Sequence, residues 1–335
     1  MGQKNLELDG KMIEKARVSV CRLVDNLICV DFDEIESYEF PIGEPFSLEI
    51  IYENVPFYFI VKFSPTNRNL ICFAPGASNR DQKTSTGELK VPPFFTRWKW
   101  HKHFDESTVA FADPMLFLGD EMKLGWFIGE KDHWYLKTVS EIIRKLAKNR
   151  KVRKDNILFY GSSGGGFASV CLATLVKDSK LLVNNAQFFV MNYYPRLVNL
   201  ALDATVASFE GLSREEVIDK ISCRIDVTEL FKNQNYSPHI TYYVNVKSEF
   251  DMTNQAIPLV SKYYGLDEFN GLDVNYYSQD SKAPHNPLPS DKSIELIKSY
   301  AKENLYNDDS DEKSDDNKSH GDDNGKVRRL FKKLF

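Results

Sequence analysis

Residues 156–173, NILFYGSSGGGFASVCLA, change character at their midpoint. The first five form a short apolar run of the kind that becomes a buried strand, and from Phe167 onward the spacing suits a helix. Between them stands GSSGGG, with almost no side-chain bulk. A strand that enters a helix through a two- or three-residue corner needs small residues on both sides of its apex, because larger ones would collide with the strand or the helix. The apex residue itself is held in a strained backbone conformation. Gly161-Ser162-Ser163-Gly164-Gly165 fits this corner as G-x-S-x-G, with Ser163 at the apex. The following helix N-terminus supplies free N–H groups and a positive dipole end, so the N–H of Gly164 would face a developing oxyanion. Two plainer readings share the pattern: a glycine-rich loop that holds phosphate, and a tight turn with no chemistry. A P-loop does not fit, since no Gly-Lys-Ser/Thr follows. Two candidate strands already precede this one, which disfavours a dinucleotide fingerprint.

The surrounding chain predicts an α/β fold, an α/β-hydrolase-like sheet that is mostly parallel and flanked by helices. Short apolar runs read as strands at 69–76, 108–114, 156–161, 180–187, 240–246 and 272–278. Most are continuous rather than alternating, as strands covered on both faces should be. Helical stretches at 134–149, 165–177 and 288–305 lie between and after them, the alternation that builds parallel sheets with sites at the carboxyl ends of the strands. Residues 17–63 read as strands rich in Val, Ile, Phe and Tyr. They are taken as a β-rich N-terminal module over 1–66, either a separate sandwich or strands added to the sheet edge. The catalytic domain is expected over 67–306. Within it, 188–239 reads as a helical insertion over the sheet, a candidate lid, with a capping box at Ser213 and Glu216.

A serine at such an apex needs a base and an orienting acid. In hydrolases of this architecture the order along the chain is Ser, then Asp or Glu, then His. His239, His285 and His320 follow Ser163. His320 lies in an acidic low-complexity tail and His239 precedes a strand, at the wrong sheet edge. His285 follows the last strand on a loop stiffened by Pro284, Pro287 and Pro289; an ordinary exposed loop histidine is the plain alternative. The acid should follow the preceding strand, which selects Asp251 with Glu249 as the near alternative, while Asp273 and Asp280 lie beside the His strand. A second oxyanion donor would come from the loop after an earlier strand, where Gly76 and Ala77 offer N–H groups; a plain Pro-Gly turn explains the same residues.

Together, FAPGAS, FFTRWKW, FYGSSGGGFAS, the VNNAQ…YYP run over 183–195 and the EFD…PHNP pair resemble α/β-hydrolase-fold proteins of bacterial surface-polysaccharide loci, in particular capsule polysaccharide O-acetyltransferases of the meningococcal serogroup A type. The resemblance covers roughly residues 68–305. It implies transfer of an acetyl group from acetyl-CoA, as donor substrate, to a hydroxyl of a polysaccharide acceptor through an acyl-serine. Ser163 would carry the acyl group, His285 would act as base and then acid, and Asp251 would orient it. Arg97, Trp98, Lys99 and Trp100 are then candidates for binding substrate, since indoles stack on sugars and cations meet phosphates. The same segment also reads as an amphipathic surface piece with its tryptophans partly in the core. A serine esterase or deacetylase with the same triad, and a non-catalytic α/β scaffold in a surface-glycan assembly, are the other readings of the chain.

The acidic balance, a formal net charge of −5, argues against nucleic-acid partners. Five scattered cysteines, several within apolar runs, suit buried free thiols in a reducing compartment, and there is no CxxC or Cys/His cluster to hold a metal. The basic run at 144–154 sits at a helix C-terminus, where cations offset the dipole. Residues 307–325 contain eight acidic residues, two lysines and no apolar side chain, the composition of a disordered linker. In residues 326–335, Val327, Leu330, Phe331, Leu334 and Phe335 fall on one helical face and five cations on the other. This end suits an anionic membrane surface, with docking to a partner capsule-assembly protein as the rival. Without a signal peptide or an apolar span, the expected location is cytoplasmic, peripherally associated with the inner membrane.

Overall fold

The computed structural model describes residues 10–305, apart from 79, 82, 84–86, 88, 89, 267–269 and 281. The expected linker at 307–325 and amphipathic end at 326–335 lie outside the described residues.

Nine strands form one sheet: β1 (Leu27–Cys29), β2 (Pro45–Tyr52), β3 (Val55–Lys62), β4 (Leu70–Phe73), β5 (Ser107–Phe111), β6 (Ile157–Ser163), β7 (Lys180–Ala186), β8 (Ile240–Asn245) and β9 (Leu272–Tyr277). Their spatial order is β1-β2-β3-β5-β4-β6-β7-β8-β9. β3 pairs antiparallel with both its neighbours, and the other pairs are parallel. All six sequence-predicted strands from β4 onward are present. β2 and β3 continue the same sheet through the β3–β5 pairing, so the boundary placed at residue 66 falls inside one continuous sheet.

Residues 17–21, expected to be extended, are instead the last turns of helix α1 (Gly10–Cys21). The β-branched Val18 and Val20 favour a strand locally, but Ala16 and Val20, four apart, both pack inward beside Tyr58. Arg17 clamps Glu49 of β2 from the same helix, at 2.9 Å and 3.1 Å from Nε. Tertiary contacts outweigh local propensity here.

The two faces of the sheet are covered by different helices. On one face lie α2 (Tyr135–Asn149), α3 (Gly164–Leu175), α4 (Pro195–Val206), α5 (Arg214–Lys220), α6 (Ser222–Ile225) and α7 (Val227–Gln234), whose apolar sides join the main core. After β8 come a short turn α8 (Glu249–Asp251), a π-helical turn (Met252–Ala256) and α9 (Ile257–Tyr263), which join the same layer. The other face is covered by α10 (Ser290–Asn304) and by a 3₁₀ turn at Trp98–His103. The 188–239 segment is helical as expected. It forms the β7–β8 crossover, and Val198, Leu202, Val217 and Leu230 are embedded in the main core.

No helix of the described residues is long and apolar enough to cross a membrane. All five cysteines are free thiols. Burial pushes the Cys72 and Cys171 thiols well up from their ordinary range.

Candidate active site

The corner after β6 has the geometry its composition implies. Ser163 ends the strand with φ 54° and ψ −131°, and Gly164 opens α3. A non-glycine residue in this region costs about 1–3 kcal/mol and is kept only where its surroundings over-determine it. Close approach supplies that constraint. A Cβ on Gly165 would lie 2.6 Å from the Ala74 carbonyl oxygen, and one on Gly161 would run into the Gly165 backbone. The loop after β4 is therefore packed directly against the elbow.

His285 and Asp251 reach the serine from two other strand ends. Ser163 Oγ lies 2.8 Å from His285 Nε2. His285 Nδ1 lies 2.8 Å and 2.9 Å from the two carboxylate oxygens of Asp251. Asp251 is fully buried, and Ser248 Oγ donates to its Oδ2 at 2.5 Å. The alternatives weighed from sequence are elsewhere: Glu249 is exposed, Asp280 pairs with Lys247 at 3.4 Å, and Asp273 pairs with His239 at 2.8 Å. Asp251 holds its place because the π-helical turn that follows is pinned. Gln255 Oε1 accepts the N–H groups of Phe188 and Phe189 at 2.8 Å and 3.0 Å, tying the turn to the end of β7.

Sequence reasoning passed over the polar end of β7 as individual residues, although VNNAQ stood out as a run. Asn185 Nδ2 donates to the carbonyls of His285 at 3.2 Å and Asn286 at 2.9 Å, while its Oδ1 accepts the N–H of Asn245 at 2.8 Å. Asn184 Oδ1 accepts from the Leu288 N–H at 2.7 Å. These two amides moor the histidine loop. Two residues on, Gln187 Nε2 donates to Ser163 Oγ at 3.1 Å, and its Oε1 accepts from Trp126 Nε1 at 2.7 Å. Three carboxamides at the end of a buried strand are costly unless partnered, and that cost was the signal available in the sequence.

Trp126 is held in turn by Asp113. Both Trp126 and Phe127 have positive φ, 51° and 56°. The carboxylate of Asp113 accepts the N–H groups of Met115, Gly125 and Phe127 at 3.0–3.1 Å, which stabilises this turn. Burial nevertheless pushes the Asp113 carboxyl up to about 7. Tyr193, from the β7–β8 crossover, closes one side of the site with its ring 6.1 Å from that of His285. Burial raises its pKa, and hydrogen bonding to Ser163 and Gln187 draws it back down.

Gly76 and Ala77 follow β4, Gly76 beside the backbone of Ser162 and half-buried, Ala77 exposed. Arg97 sits beneath the elbow, donating to Ser162 Oγ and, at 3.3 Å, to the Ala74 carbonyl. Its three companions contact one another and the sheet layer. Lys99 lies over Trp98 at 5.4 Å, Trp98 stacks on His101, and Trp100 packs against Phe73 at 5.7 Å and Tyr160 at 6.1 Å. Among the described residues, no group of three or more His, Cys, Asp or Glu side chains is arranged to hold a metal ion.

The mostly parallel sheet, its flanking helices and the elbow define an α/β-hydrolase-like fold. Solved structures share it. The capsule O-acetyltransferase of Neisseria meningitidis serogroup A superposes with a TM-score of 0.52 at 13% identity, over 75% of this chain and 96% of that one. A mutant of that enzyme in complex with CoA gives 0.51 at 14% identity, over 75% and 96%. No family model and no curated protein matches the chain.

Proposed function

We propose that this chain is an O-acetyltransferase that moves an acetyl group from acetyl-CoA to hydroxyls of a bacterial surface polysaccharide, with Ser163, His285 and Asp251 as its catalytic residues. The observation that carries this reading is the continuous hydrogen-bonded line from Ser163 Oγ through His285 to buried Asp251. In the first half-reaction Ser163 Oγ attacks the thioester carbonyl while His285 Nε2 takes its proton. The tetrahedral oxyanion is met by the N–H of Gly164 and by N–H groups of the Gly76–Ala77 loop. The C–S bond then breaks, and His285 returns the proton to the leaving sulfur. In the second half-reaction His285 takes the proton of a sugar hydroxyl, which attacks the acyl-serine; the C–Oγ bond breaks and Ser163 is reprotonated. Asp251, accepting from Nδ1, fixes the tautomer that leaves Nε2 free to accept and stabilises the imidazolium. The CoA held by the structurally similar capsule enzyme supports a CoA thioester as donor. Residues 326–335 would bring the enzyme to an anionic membrane surface, where the polymer is assembled.

The test is incubation with radiolabelled acetyl-CoA, with and without a capsule-type acceptor. Label on the protein that disappears in Ser163→Ala, and that passes to the acceptor, is the expected result. Acetate released at the same rate without acceptor would instead identify an esterase, and a protein that takes up no label would be a scaffold.

A further inference from the structure

Arg97 is a cation in an unusual place. It follows the loop after β4 with φ 61°, so a non-glycine residue spends left-handed backbone strain to turn its side chain inward. The guanidinium lies 5.5 Å from the ring centre of Trp100 and 5.4 Å from that of Tyr160. No carboxylate of the described residues forms an ion pair with it, and burial lowers its pKa. The side chain is half-buried, and a charge drawn partly out of water without an ionic partner is costly, so what it touches matters. One arm donates to Ser162 Oγ and the other to the Ala74 carbonyl. Ser162 is the residue before the elbow apex, and Ala74 is two residues before Gly76. The two strand ends that carry the two halves of the oxyanion cradle are therefore bridged by one planar fork.

We propose that Arg97 is a positioning residue for the oxyanion cradle: its two-pronged guanidinium fixes the loop after β4 against the Ser163 elbow, so that the N–H of Gly164 and those of the Gly76–Ala77 loop converge on one point. This rests on the reading of Ser163 as acyl carrier. Lysine cannot replace the fork, because a point charge on a flexible stem bonds one partner or the other. Displacing an oxyanion donor, or misplacing a reacting group by about 1 Å, costs about 10²-fold in rate.

The test uses the full chain and two probes. An alkyl fluorophosphonate reports the elbow and cradle together: Oγ–P forms, P–F breaks, and the serine proton leaves through His285 with fluoride. Turnover of p-nitrophenyl acetate then separates kcat from KM. For Arg97→Gln we expect both the labelling rate constant and kcat to fall about 10²-fold with KM within about three-fold, and for Arg97→Lys a fall of at least about ten-fold. Ser162→Ala, which removes one prong and no charge, should lower both several-fold. Labelling amplitude is measured separately from the rate constant, so a variant that merely misfolds loses amplitude while its surviving fraction reacts normally; that pattern in all three variants overturns the proposal. Arg97→Lys reacting at the wild-type rate overturns it also, since charge alone would then suffice. If the unaltered chain is not labelled at Ser163, the acyl-serine reading fails and takes this proposal with it. If it is labelled and the three variants match it, the Arg97 assignment alone fails.

Discussion

Replacing Asn185 with Ala tests how the histidine is held. Asn185 is fully buried with φ 42°, and its carboxamide ties the His285 loop to β7 and to the end of β8. Truncation leaves the Asn245 N–H buried without its acceptor, a cost of about 1–3 kcal/mol, and loses the 2.9 Å bond to the Asn286 carbonyl, worth about 1 kcal/mol net. Alanine in the left-handed region adds about 1 kcal/mol over asparagine. The sum, about 3–5 kcal/mol, is within what a domain of this size can lose and still fold. Asn185→Gly removes the backbone part and should recover about 1 kcal/mol of it. The larger effect is on reactivity. A loop freed at the His285 and Asn286 carbonyls no longer holds Nε2 against Ser163, and a shift of about 1 Å costs about 10²-fold. Urea denaturation gives the stability change, and fluorophosphonate labelling of the folded fraction gives the reactivity. If Asn185→Ala is destabilised as stated but its folded fraction is labelled within two-fold of the unaltered rate, the mooring does not set the histidine and the reasoning fails.

Asp113 makes stability depend on pH. Its folded pKa, about 7, is raised above the ordinary aspartate value of 3.8, so the folded state holds the proton more tightly; the resulting stabilisation is full below about pH 4 and is lost as pH rises through 7. Asp113→Asn should flatten that slope in melting temperatures recorded from pH 4.5 to 8, and an unchanged slope would refute the assignment. Gly165→Ala puts a Cβ 2.6 Å from the Ala74 carbonyl oxygen and should destabilise by more than about 2 kcal/mol, whereas the Cβ of Gly76→Ala meets its nearest atom at 3.5 Å and should stay within about 0.5 kcal/mol by the same denaturation assay. Deleting residues 326–335 should reduce binding to anionic liposomes in a flotation assay while leaving p-nitrophenyl acetate turnover intact.

The elbow was legible because a sharp corner tolerates few side chains, and the composition of 161–166 states that requirement directly. The positions of Asp251 and His285 were legible from strand order, since each lies on the segment that follows its strand at the carboxyl edge, although Glu249 and Asp280 share those segments. Asn184, Asn185 and Gln187 were not read individually, because their partners lie in distant segments and no local pattern names those partners. Helix α1 was misread for the opposite reason: Val18 and Val20 carry a local strand preference, and the contact of Arg17 with Glu49 that overrides it spans 32 positions. The spacing of Ala16 and Val20 was the available clue. Arg97 was picked out with Trp98, Lys99 and Trp100 as one segment, yet a left-handed residue at the start of a 3₁₀ turn sends its side chain toward the elbow, while Trp98 and Trp100 pack on the sheet layer and Lys99 is exposed.

The polar end of β7 also sets an order of assembly. Its bonds reach 24 positions back to Ser163, 100 forward to the His285 carbonyl and 104 forward to the Leu288 N–H. Contacts of such separation close last, because the loop entropy must be met before they give any return. Strands β1–β7 can pair as the chain leaves the ribosome, yet Ser163 lacks the imidazole that we propose as its base until residue 285 has been made and moored. On the proposed roles of Ser163 and His285, a chain stalled before residue 285 should be chemically silent at its elbow. Reactivity toward a fluorophosphonate during synthesis would report completion of the molecule rather than the appearance of its nucleophile.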